Sequence, residues 1–245
     1  MSIDNIRERF SQNRRLFELY QQEIKKTIEK LEKQVNDLKI HVEQGGSIAI
    51  PSQSIKKPDG GYSTRIGLKD TPEMREVLTF AMNRKVDELK AYVEISLHMA
   101  FSHLMSLFDA CFDDIVKVYL ESVKRFFVNN QIWETTAREI SRHSLKKQLS
   151  FFNKNAGIDF KSVLGDKMIF QVIERKECRN LIVHNEGFVD KFYVNNVKDT
   201  MLNIGEKYPL DYGYLDDSID LLSLFIMHFS SEIELKLNTY IGNNR

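Results

Sequence analysis

Phe170-Gln-Val-Ile-Glu-Arg-Lys-Glu-Cys-Arg179-Asn180-Leu-Ile-Val-His184-Asn185-Glu-Gly187-Phe-Val-Asp190 reads as a helix that stops before the quotation does. Ile169, Val172, Ile173, Leu181 and Val183 are its apolar residues, while Arg175, Lys176, Glu177 and Arg179 stay exposed or free to act. The stop falls between Asn185 and Gly187, because glycine is the usual residue for the left-handed turn after a helix. Arg179, Asn180 and His184 therefore occupy the last turns. At about 100° per residue, Asn180 and His184 share a face, and Arg179 stands about 140° from His184. An arginine is long enough to converge with a histidine across that angle. The helix end thus offers a fixed cation, a group that titrates near neutral pH and a neutral hydrogen-bonding amide. That set suits phosphodiester chemistry.

The string Arg179-Asn180-Leu-Ile-Val-His184 resembles the signature of the HEPN superfamily of ribonucleases and RNA-binding domains: an Arg, a polar residue directly after it, and a His four to six residues beyond the Arg. Asn185-Glu-Gly187 and Asp190-Lys-Phe-Tyr193 resemble the continuation of that signature. Phe101-Ser-His-Leu-Met-Ser-Leu-Phe-Asp109 is similar to the family's first helix, which often carries an acid after an aromatic. The resemblance spans roughly residues 91–240. A second Arg and His five apart, Arg138 and His143, lacks both the polar neighbour and the Asn-x-Gly ending. The resemblance implies an all-α, HEPN-like helical bundle and metal-independent RNA cleavage with no cofactor. It further implies a homodimer or higher homo-oligomer in which two motifs share one composite cleft. A plain solvent-facing helix end, its His favoured by the helix dipole, is the competing reading of the same residues.

Each residue type has a chemical reason to be there. Cleavage without a metal needs the ribose 2′-hydroxyl to lose a proton as it attacks phosphorus. The leaving 5′-oxygen must gain one. His184 is the natural proton-transfer group, since imidazole titrates near neutrality. Arg179 can hold phosphoryl oxygens through paired N–H donors, and Asn180 can orient His184 or bond the ribose. Asp109 and Asn185 are supporting candidates, Asp109 either fixing the rotamer of Arg179 or forming an ordinary ion pair. His98 and His103 are five apart, not the four that would place two metal ligands on one helix face. No phosphate-binding glycine loop occurs, which leaves an ATPase or dehydrogenase without support.

Outward from the motif, the 245 residues carry 35 bases and 35 acids, so the chain is not globally basic. The charge is nonetheless uneven. Twelve Lys and Arg face six Asp and Glu between Lys124 and Arg179, and beyond Asn180 five bases face ten acids. A basic segment leading into the motif can supply a field for a polyanion, or can simply be a solvated helix face. Cys111 and Cys178 have no metal-ligand spacing and read as buried thiols of a reducing cytoplasm. Asp4 to Arg15 is charged throughout, unlike a signal peptide, and no uncharged run reaches bilayer length, so no membrane contact is expected.

Residues 1–44 are expected as one long helix, with Ile3, Phe10, Phe17, Ile24, Leu31 and Leu38 at heptad spacing and Ile28, Val35 and Val42 filling the alternate positions. Arg7, Arg14 and Gln21 narrow that seam at its start. The partner would be a later helix of the chain or a second copy. Residues 45–70 read as a β-hairpin insert turning at Pro58-Asp-Gly-Gly61. Residues 71–245 read as the helical bundle, opened by the helix start Thr71-Pro72-Glu73. Three functions follow. The first is a HEPN-type RNA endonuclease, of the sort that serves as a toxin or antiphage effector with a regulatory protein partner. The second is a silent HEPN module that binds RNA or protein. The third is a coiled-coil adaptor.

Overall fold

The computed structural model describes residues 2–43, 72–124, 140, 144–197 and 200–242. The expected β-hairpin and the Thr71 cap lie outside them. The described residues are all-α: α1 (Ile3–Glu43), α2 (Pro72–Lys124), α3 (Leu145–Ala156), α4 (Phe160–Asn185), α5 (Lys191–Asn196) and α6 (Tyr212–Gly242). They form two compact units, one of residues 1–19 with 97–245 and the other of residues 20–96. These boundaries fall within α1 and α2. The smaller unit contains the rest of α1 and the first half of α2, where Arg84 and Lys85 both reach Glu88 at 3.3 and 3.1 Å.

The reason for the first boundary is the burial of Ile3, Ile6 and Phe10, which makes the opening turns of α1 part of the larger unit's core. Arg7 bonds Ser230 through Nε at 2.7 Å and Glu234 through Nη1 at 2.9 Å, and Arg14 meets Asp220 at 2.8 Å. The order of partners reverses along the chain, so this part of α1 runs antiparallel to α6. Arg9 pairs with Asp114 of α2. Arginines that narrowed the expected seam are therefore the ones that tie α1 to its own chain. Heptad positions from Phe17 onward have side chains outside the described residues.

The core of the larger unit is aromatic. Phe160 stacks on Phe229 at 4.6 Å between ring centroids, Phe112 meets Phe229 tilted at 4.5 Å, Phe108 meets Phe225 edge-on at 5.5 Å, and Phe152 meets Phe229 edge-on at 5.5 Å. Such rings bury large apolar areas and gain further from tilted and offset contacts. By length and composition Asn83–Val123 is apolar enough to cross a bilayer, but Leu97, Phe101, Leu104, Phe108, Phe112 and Val123 within it are buried in this core.

Local chemistry sets the elements around the motif. Asp159 caps α4, accepting from Lys161 N at 3.1 Å and Ser162 Oγ at 2.6 Å. Gly165 is a break inside α4 at φ 74°, ψ 150°. Asp190 caps α5 by accepting from Tyr193 N at 2.8 Å. The segment after α5 then returns past the end of α4. Val189 N–H donates to Glu206 O, Gly205 N–H to Val189 O, and Tyr208 N–H to Gly187 O, each at 2.8 Å.

Candidate functional site

α4 ends at Asn185, as its residues dictate, but the left-handed turn begins one residue early. Glu186 has φ 52° and Gly187 φ 82°. Gly187 N–H donates to Leu181 O at 3.0 Å and Phe188 N–H to Asn185 O at 2.8 Å, closing carbonyls that a helix end leaves open. Asn185 Nδ2 donates to Phe188 O at 2.6 Å, so its side chain fastens the turn. A Cβ on Gly187 would stand 3.2 Å from His98 Cε1 and 3.7 Å from Lys207 Cε. The turn therefore packs against an imidazole from α2, and only glycine fits there without displacing it.

On the last turns of α4, Cys178 and Leu181 face the core, and His184 is exposed. Arg179 and Asn180 are half-buried and touch, Arg179 Nη1 donating to Asn180 Oδ1 at 3.4 Å, while Asn180 Nδ2 donates to Glu177 Oε2 at 3.4 Å. Both bonds are long. Arg179 Nε is buried with no hydrogen-bond partner among the described residues. Arg179 and His184 are not bonded to each other, and Asn180 lies between them on the helix surface. Val183, expected in the apolar face, is 50% exposed.

Asp109 does not fix Arg179. Its Oδ1 accepts from Lys176 Nζ at 2.6 Å, because the crossing of α2 and α4 sets it level with Lys176, one turn before Arg179. Arg175 is likewise neutralised, by Glu174. Of the three cations between Arg175 and Arg179, the arginine of the motif is thus the one that meets no carboxylate among the described residues.

A second polar constellation went unseen in the sequence. Glu174, 8% exposed, accepts from Tyr193 Oη at 3.2 Å, from Tyr214 Oη at 3.0 and 2.9 Å on its two oxygens, and from Tyr208 Oη and Arg175 Nη1. Arg175 also lies over the Tyr214 ring at 4.1 Å and donates to the buried Ser218 hydroxyl at 3.0 Å. Burial first, and then the neighbouring Glu174 charge, push the Tyr193 and Tyr208 phenols well above their usual range. Burial drives the Tyr214 phenol and the Cys178 thiol the same way. A signal existed: four of the nine tyrosines fall between Tyr193 and Tyr214.

No protein-family model, curated protein or solved structure matches this chain.

Proposed function

We propose that the chain is a metal-independent endoribonuclease of the HEPN type, acting as a homodimer in which two copies of the Arg179–His184 helix end face one RNA strand. The observation that carries this reading is the state of Arg179. A guanidinium held half-buried, with an unpartnered Nε and no facing carboxylate, is a site prepared for an oxyanion, since leaving a buried donor unmade costs about 1–3 kcal/mol. Phosphate oxygens are the ligand that best fits paired guanidinium donors. His184, exposed one turn away, supplies the titrating group.

The reaction needs no further component. An imidazole takes the proton of the 2′-hydroxyl while that oxygen bonds phosphorus. The P–O5′ bond breaks, and an imidazolium returns a proton to the departing 5′-oxygen, leaving a 2′,3′-cyclic phosphate and a 5′-hydroxyl. Arg179 stabilises the charge that accumulates on the non-bridging oxygens. One helix end offers one imidazole, and a second copy offers the other. Buried free thiols at Cys111 and Cys178 accord with a reducing, cytoplasmic setting.

The test is cleavage of total RNA in EDTA by the full chain beside His184→Ala and Arg179→Ala, with the oligomeric state measured by light scattering. Cleavage that ends in cyclic phosphate, and that either substitution abolishes without lowering the melting temperature, is the expected result. RNA binding without cleavage in all three proteins would replace the nuclease with a binding module. A strictly monomeric protein that still cuts would overturn the composite site.

A further inference from the structure

We infer that Glu174 is the positioning residue for His184, acting through Tyr208. His184 has no hydrogen bond of its own to orient it among the described residues, so its place is set by the last turn of α4 and by the Glu186–Gly187 turn that closes it. That turn is gripped from outside. The returning segment bonds Gly187 O through Tyr208 N–H, and it brackets Val189 through Glu206 O and Gly205 N–H, each at 2.8 Å. The segment is in turn anchored by the Tyr208 hydroxyl on the Glu174 carboxylate, ten residues before His184 on the same helix. Tyr193 of α5 and Tyr214 of α6 converge on the same carboxylate. Four stretches of chain are therefore pinned at one buried charge: α4, α5, the return and α6. Arg175 supplies the balancing cation from the adjacent position.

The logic is that of an indirect support. A charge-assisted hydrogen bond in a dry environment is stronger and more directional than a neutral one. Anchoring the return both to Glu174 within α4 and to the turn that closes α4 converts that rigidity into a fixed helix end. A misplacement near 1 Å at a reacting group can cost on the order of a hundredfold in rate.

The catalytic consequence rests on the endoribonuclease reading, whereas the positional one does not, and the experiment separates them. Tyr208→Phe removes one hydroxyl and keeps the ring that packs on Tyr193 and Tyr214 at 5.8 and 5.4 Å. In the full chain, the His184 imidazole signals should shift or broaden in NMR spectra and the amides of Gly205, Tyr208 and Val189 should exchange faster. The imidazole of His228, on α6, serves as the unmoved reference. RNA cleavage should lose about ten- to a hundredfold in kcat with KM little changed. Glu174→Gln, which keeps an acceptor for the phenols, should fall between wild type and Glu174→Ala in the same readouts. NMR changes in a chain that never cuts RNA would sustain the positioning role and defeat the nuclease. An unchanged His184 signal and unchanged amide exchange in Tyr208→Phe would overturn the positioning role, whatever the activity.

Discussion

Replacing Ile6 by alanine tests whether the opening of α1 belongs to its own chain's core. Ile6 is 0% exposed, whereas Leu16, ten residues on, is 65% exposed. The substitution removes three carbons, worth about 2.4 kcal/mol at roughly 0.8 kcal/mol per buried methylene. The cavity left behind adds to that, which places the total in the range of about 2–5 kcal/mol for such truncations. For a chain of this size that is a fall in Tm of about 4–20 °C. Leu16→Ala should stay within about 0.5 kcal/mol. Both are read from thermal and urea unfolding followed by circular dichroism, repeated over about a hundredfold range of protein concentration. Equal losses from the two substitutions would refute the burial argument. A midpoint for wild type that climbs with concentration, and an Ile6→Ala loss that vanishes at high concentration, would show that a second copy covers this face instead.

Three further outcomes follow from the turn and the tyrosine cluster. Gly187→Ala should cost about 1–3 kcal/mol, since φ 82° strains any side chain and the new Cβ meets His98 at 3.2 Å. Gly205→Ala, at φ 87° with open space, should lose less in the same denaturant titration. Glu186→Gly should stabilise the protein by about 1 kcal/mol, reversing the usual sign for a glycine, because Glu186 sits at φ 52°; a lowered midpoint would contradict this. Alkali should unfold the chain through Cys178, Tyr193, Tyr208 and Tyr214. All four are shifted upward by burial, so the folded state holds protons that the unfolded state releases. Their stabilisation is complete below about pH 9 and is lost as pH climbs past the ordinary values of 9.0 for the thiol and 10.0 for the phenols. Tyrosinate absorbance should then rise in two steps, the second coinciding with loss of helix; one smooth rise near pH 10 preceding unfolding would disprove it.

Features with a local cause could be read in the sequence. The end of α4 at Asn185 and the helical spacing of Phe101, Phe108, Phe112 and Ile115 depend on neighbours within a turn or two. Glu174 carried no such mark. Its tyrosines arrive from 19, 34 and 40 residues away, and nothing in a helical pattern says that a carboxylate turns inward to meet them. Asp109 illustrates the same limit, because the crossing of two helices decides whether it meets Lys176 or Arg179. Heptad counting found Ile3 and Phe10 but missed Ile6, which lies off the seven-residue spacing and is buried in the larger unit's core, where this part of α1 meets both α6 and α2. At the motif itself, the pairing of Arg179 with Asn180 is local, whereas the buried and unpartnered Nε follows from packing that no short string encodes.

The clasp between Arg7 and Ser230 joins positions 223 residues apart. During synthesis the opening turns of α1 leave the ribosome long before the helix that shelters them exists. Ile3, Ile6 and Phe10 must therefore wait in solvent or in the care of a chaperone until nearly all of the described chain has emerged. Helices usually fold quickly on local contacts, but this bundle completes late, because α1 docks only after α6 has been made.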